Sequence, residues 1–427
     1  MNFYGEVLYN SARDFFVPLQ GEEKYCTEGF KEIALIYGAT EESYRKTSCL
    51  LNRIRHQEVG GTPSRTIREI SEREGSLIES HLEAQSIKIF RESGFTPLGV
   101  PESSTLELLC DILPTMEEGS ANEACTFLDE STTESAEISV EGIVSEAVNA
   151  VVLKHGLCDA DRKEMLKNPV PYEAGEETVN ISVDDVGAKQ QKETRQAAHS
   201  QSPAGKKKRV YVQNTVIHVE QGGRSYVLNG YGVLYVLRLL LAFLLNNGLL
   251  TSVWVFFVDG HSFYSSVLQM FSWHPKASVV LDWYHLRKKC GELLSMASKG
   301  SKIRNAVLGK LMPLLWYGLV DQAIDYLKHL PEDQIKNQDE LKHLMAYLDK
   351  NRVMIPVYAV RRELGLRNSS NRGEKANDVL VATRQKHHGM SWSKSGSVAL
   401  ASMTAIKKNR TYKMWFQERQ IEFKFAS

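Results

Sequence analysis

The chain has only six cysteines in 427 residues, Cys26, Cys49, Cys110, Cys125, Cys158 and Cys290, and no two are spaced as a CxxC pair. That argues against a cysteine-held zinc site and against a compact disulfide framework, and fits free thiols in a reducing compartment. The first residues carry no basic stretch followed by an apolar run and a small-residue cleavage site, so no secretory signal is read there. Nor is there an apolar run of the roughly 20 residues that a membrane span needs. The nearest, Tyr231 to Leu245, is shorter and carries Arg238 at its centre, which reads as a buried helix; no membrane partner is expected. Net charge is missing too, since 52 basic residues balance 52 acidic ones. The balance hides segregation. Acids dominate between Glu102 and Asp185, and bases outnumber acids about two to one after Leu286. A neutral sum therefore leaves room for a basic working surface, because attraction to phosphates is local, decaying over roughly 8 to 10 Å.

What is present reads as a modular globular protein. Residues 1–96 have helical periodicity broken at Gly38, Gly60-Gly61 and Gly75, a pattern that suits a helix-turn-helix DNA reader or a plain helical bundle. Residues 97–177 read as an acidic linker, with one helix expected from about Val140 to His155. Residues 178–285 change character. A β-rich run, Val179 to Val183, ends at Asp184-Asp185, and alternating strands follow over Arg209–Glu220 and Ser225–Leu228. Then come a helix from Gly232 to Leu245, a buried strand, Ser252 to Val258, ending in Asp259-Gly260, a helix near Phe263 to Phe271, and a strand, Ser278 to Leu281, leading into Asp282. That order is the core of an α/β, ribonuclease-H-like mixed sheet. Residues 286–365 read as a helical insertion, and residues 366–427 as a final helix, Gly373 to Lys386, with a basic C-terminal region.

The acids are placed for phosphodiester chemistry. In-line displacement at phosphorus requires an activated oxygen nucleophile and a neutralised leaving oxygen, which two divalent cations about 3.5 to 4 Å apart provide. Hard cations such as Mg²⁺ or Mn²⁺ take carboxylate oxygens. Asp184 and Asp259 each follow a hydrophobic β-run, where a rigid sheet would hold the carboxylate at its edge. Asp185 competes with Asp184, but the pleat lets only one of them face the site. Glu374 opens the final helix, and Asp378 lies one turn on along the same face.

The run Val258-Asp259-Gly260, then Val280 to Leu286 (VLDWYHL), and later Arg384-x-Lys386-x-x-Gly389-Met390-Ser391-Trp392-Ser393, resembles insertion-sequence transposases of the ISLre type. That family was once catalogued as an uncharacterised protein family and is related to Mutator-like transposases. The resemblance extends to Val183-Asp184-Asp185-Val186-Gly187 and implies two strand-end aspartates, a helical insertion and a glutamate on the last helix. These map onto Asp184, Asp259 and Glu374 as catalytic and metal-binding acids. It implies DDE-type cleavage and strand transfer with two Mg²⁺ or Mn²⁺ ions, and partners in double-stranded DNA, namely the element's terminal repeats and its target. A homo-oligomer on DNA and a cytoplasmic, nucleoid-associated location are further expectations. The alternatives are a nuclease of the same fold and a catalytically decayed DNA-binding protein.

Asp282 and His285 resemble the Asp-x-x-His that related transposases place after the second aspartate, and stand as supporting candidates with Asp185 and Asp378. Lys206 to Arg209 is a basic run read as a solvated loop or a phosphate contact. In the C-terminal region, Arg372, Arg384 and Lys386 lie among aromatics such as Trp392, a mixture that suits a nucleic-acid backbone surface able to stack an unpaired base, with a place in the core an equal reading for Trp392.

Overall fold

The computed structural model describes residues 27–56, 62–112, 140–170, 172, 178–191, 210–386 and 390–425. Lys206 to Arg209, His387, His388 and much of the acidic stretch from Glu117 to Glu141 lie outside them. Ahead of the sheet come α1 (Glu28–Glu32), extended by a π-helical turn Ile33–Ala39, then α2 (Tyr44–Ile54), α3 (Ser64–Glu92), α4 (Ser103–Ile112), α5 (Val140–His155) and α6 (Asp159–Leu166). The sheet region runs β1 (Val179–Lys189), β2 (Tyr211–Gln221), β3 (Arg224–Gly230), α7 (Val233–Asn246), β4 (Trp254–Val258), α8 (His261–Phe271) and β5 (Ala277–Leu281). Four helices follow: α9 (Trp283–Ala297), α10 (Ser301–Trp316), α11 (Val320–Lys328) and α12 (Gln338–Asn351). The chain closes with α13 (Tyr358–Glu363), α14 (Asn371–Asn377), α15 (Lys394–Lys408) and α16 (Tyr412–Glu418).

The strands form one mixed sheet in the order β3-β2-β1-β4-β5. The first three are antiparallel, and β1, β4 and β5 are parallel. This is the ribonuclease-H-like arrangement, with helices on both faces. On one face Val179, Ile181 and Val183 of β1, with Trp254, Phe256 and Val258 of β4, pack in a core that includes Leu237, Leu240 and Leu244 of α7. Alternation at period two puts the neighbouring residues on the other face. There Val186 and Ala188 join a second core with Leu380, Val381 and Leu400.

Two expectations need correction. β1 does not stop at Asp184; it runs to Lys189, because β2 pairs with it as far as Tyr211. Asp184 is exposed to a cleft only because β4, paired with β1 over Val179–Ser182, ends beside it. Gly75 does not break a helix, since α3 runs through it. Glycine is needed because α15 passes so close that a Cβ at position 75 would lie 2.2 Å from the Ala399 Cβ. The N-terminal helices share a core with the sheet and with α15: Ile67, Ile70 and Ile78 of α3 pack in the cluster that holds Leu400 and Val186. The helix expected around Arg238 is α7, in which Leu237, Leu239, Leu240, Leu241 and Leu244 are buried while Arg238 donates to the Pro97 carbonyl. No helix among the described residues is long and apolar enough to cross a membrane.

Candidate active site

Strand register brings three aspartates to one level. Ser182 pairs with Phe257 and Phe257 with Val280, so two residues further along each strand lie Asp184, Asp259 and Asp282 on the same face. Each stands where its strand or its neighbour ends. Asp185 is turned to the other face, where Thr215 directly opposite donates to its carboxylate at 2.6 Å.

The three carboxylates have different environments. Burial and the charge of Asp259 push the Asp184 carboxyl up to about 6. Burial also raises Asp259, against the opposing effect of His285. Asp282 is 1% exposed, yet its carboxyl is held below the usual range, because hydrogen bonds outweigh the cost of burial. It caps α9 by accepting the His285 amide at 3.0 Å, and it also accepts the Ser370 amide. Asp282 is thus committed to holding the backbone, whereas Asp184 and Asp259 press like charges together.

The final helix lies across this edge. Gly373 makes the approach possible, since a Cβ there would lie 2.5 Å from the Ser182 Cβ, two residues before Asp184. One residue on, Glu374 lies with its Oε1 3.7 Å from Nε2 of His285, and Nδ1 of that ring lies 3.3 Å from Asp282. The hydrogen bond and charge of Asp282 raise the His285 pKa against its burial. Asn377, one turn after Glu374, donates to Asp184 at 2.5 Å. The helix then widens into a π-helical turn, Asp378–Ala382, before a last α-turn, Thr383–Gln385. A cavity of about 220 Å³ is lined by Asp184, Asp185, Glu374, Asn377, Asp378 and Lys386, among others.

No group of three or more His, Cys, Asp or Glu among the described residues is close enough to hold a metal ion. The fit is to a pair. Asp184 and Asp259 are hard oxygen donors whose mutual repulsion a divalent cation would relieve, while Glu374 is engaged by His285.

The start of the final helix is fastened by an ion cluster that sequence reasoning missed. Glu220 of β2, buried, accepts from Arg367 and Arg372, and Arg361 donates to the Arg367 carbonyl. Burial pushes the Glu220 carboxyl up, but the two arginines hold it below its ordinary value. Glu220→Gln is expected to cost about 1–3 kcal/mol, the range for charge-assisted hydrogen bonds, read from a urea midpoint. An unchanged midpoint would mean that the strap before α14 is held otherwise.

The four residues expected to face nucleic acid divide. Arg372 is exposed though paired with Glu220, and Lys386 is exposed at the cavity. Arg384 and Trp392 are 2% and 5% exposed. The Arg384 guanidinium donates to the Ala39 carbonyl and lies over the Tyr44 and Trp392 rings at 5.6 and 5.2 Å. This buried cation–π stack welds the N-terminal helices to the end of the final helix; it presents no surface to a ligand. Asn377 carried a legible signal, three residues after Glu374 on the same helical face; Glu220 carried none.

No curated protein and no solved structure matches the chain. Over residues 242–420, a span that includes Asp259, Asp282, His285 and Glu374 but not Asp184, the chain is similar to the Uncharacterised protein family (UPF0236).

Proposed function

We propose that this chain is a DDE-type transposase, cleaving DNA at the ends of an insertion sequence and joining them to a target duplex. The observation that carries the reading is the juxtaposition of Asp184 and Asp259 on one sheet face with Glu374 on the helix that crosses it. Asp184 and Asp259 would hold the Mg²⁺ or Mn²⁺, with Glu374 as the third acid. A cation bound there supplies Lewis-acid stabilisation of charge at the scissile phosphate. The protein's own groups do the rest. Asn377 fixes the Asp184 carboxylate, Asp282 fixes the start of α9, and His285 holds Glu374 against the cleft.

The reaction is two successive displacements at phosphorus. Water first displaces a 3′-oxygen, and the freed 3′-hydroxyl then displaces a 3′-oxygen in the target strand. Two ends must be cut and joined together, so a homo-oligomer on DNA is part of the proposal, as is action on nucleoid DNA in the cytoplasm. The test supplies a pre-cut end with a free 3′-hydroxyl and a second duplex. Insertion of the end into that duplex supports transposition. Cutting without joining would make the protein a nuclease, and binding with neither would leave a decayed DNA-binding protein.

A further inference from the structure

Beside the acids, α9 and α10 form a hairpin with an open groove of about 490 Å³ between them. One wall is a single stripe of α9, Tyr284, Arg287, Lys288, Gly291 and Ser295, recurring at helical spacing. The opposite face of the helix, Leu286, Cys290, Leu293 and Leu294, is buried in the core, so this stripe is the helix's polar, solvent-facing side. Arg304 and Leu308 of α10 make the other wall. Arg304 is held across the groove by its hydrogen bond to Ser295 at 3.0 Å. Glu292 is the one acid in the lining, and no carboxylate among the described residues pairs with Arg287 or Lys288.

Three features give the groove a direction and a ligand class. It begins at Tyr284, which is 50% exposed and adjacent in sequence to His285, the residue touching Glu374. It carries Arg287 and Lys288 on a stripe of α9 that, at 1.5 Å per residue, is about 16 Å long, with Arg304 facing them from α10. Its α9 wall is open at Gly291, where an added Cβ would meet nothing within 4 Å. An aromatic at the mouth, cations on both walls and bare backbone at Gly291 suit a ribose-phosphate chain, whose charge the cations neutralise and whose end base the ring can stack.

We infer that this α9–α10 groove binds the phosphate backbone of the DNA strand that leads into the acid site. The inference rests on the reading of that site as one that acts on DNA, and it assigns a binding role to a part of the helical insertion. The substrate strand thereby runs along α9 toward His285, and the insertion holds the flank of the scissile phosphate while the sheet holds the phosphate itself.

The experiment is fluorescence anisotropy of the full chain with a fluorescein-labelled duplex in EDTA, so that binding is read without cleavage, across a salt series. Arg287→Glu with Lys288→Glu should weaken binding at least about tenfold and flatten the slope of log K against log salt by about two. Gly291→Phe should weaken binding by filling the groove with its charges intact, since an added Cβ there meets nothing within 4 Å. The same charge reversal at Lys328 and Lys350, on α11 and α12, should leave the α9 effect unmatched. Equal affinities of wild type and both groove variants would overturn the inference while leaving catalysis at the acids untouched. Binding of labelled polyglutamate through the same residues, with none of the duplex, would make the groove an acidic-peptide site and would also overturn it. A wild type that binds through the groove but never cuts would uphold the inference and sink the catalytic reading.

Discussion

Asp184→Asn is expected to stabilise the metal-free protein while removing its activity. The Asp184 carboxyl is raised from 3.8 to about 6 by burial and by Asp259. The folded state therefore binds this proton more tightly than the unfolded state does. As pH rises from about 4 to about 6, folding loses the difference, about 2–3 kcal/mol at 1.36 kcal/mol per unit, and the penalty is full above pH 6. Asparagine removes the charge but can still accept from Asn377. For a chain of this length the gain corresponds to a rise of about 2–3 °C in melting temperature at pH 7.5 in EDTA, vanishing toward pH 4. Mg²⁺ or Mn²⁺ should stabilise the wild type, by binding the folded state alone, and should stabilise the variant less. A variant that melts below the wild type at pH 7.5 would contradict the picture of two carboxylates held together against their repulsion.

The second large effect lies far from the cleft. Glu74, in the middle of α3, is fully buried. Its carboxylate lies 2.9 Å from the Lys31 ammonium and accepts from Arg419 and Trp415 after α15. Burial pushes its carboxyl up, but Arg419 and Lys31 outweigh that and leave it below its ordinary value. Glu74→Ala takes the buried carboxylate from the Lys31 ammonium, itself 6% exposed, and leaves it only the half-exposed Glu28 at 2.7 Å. The expected cost is about 3–5 kcal/mol, the usual consequence of removing one side of a buried pair. The wild-type contribution should be present above the unfolded carboxyl range near 4.5 and be lost as pH falls through the lower folded value. A loss under about 1 kcal/mol in urea denaturation would mean that Glu74 contributes little to holding the N-terminal helices to the C-terminal ones.

These two residues show how far the sequence was legible. The strands were readable because alternation and continuous apolar runs are local patterns, and Asp259, directly after such a run, could be placed from its neighbours alone. The extension of β1 beyond Asp184 was not, because it depends on pairing with β2, which follows a stretch outside the described residues. Glu74 in a long helix looks like any solvated glutamate; its partners Lys31 and Arg419 come from opposite ends of the chain. Gly75 looks like a helix break until Ala399 arrives from over three hundred residues away. The burial of Arg384 and Trp392 was hidden for the same reason. Basic and aromatic residues adjacent in sequence have the composition of a nucleic-acid surface, and only the third member, Tyr44, reveals a buried stack. Local chemistry was visible in the sequence; partnership across the fold was not.

The distinction matters for the site itself. Asp184 and Glu374 are brought to Asp259 by two devices with no local signature, the end of β4 short of Asp184 and the Gly373–Ser182 approach. Either could be lost without changing an acid.

The most direct test is metal-dependent cleavage of a duplex carrying the element's ends, comparing wild type with Asp259→Ala in Mg²⁺ and in Mn²⁺. Loss of about 4 kcal/mol of transition-state stabilisation predicts a fall of about a thousandfold or more in the variant, with duplex binding in EDTA retained. Cleavage that persists in Asp259→Ala, or that proceeds equally in EDTA, would contradict the account.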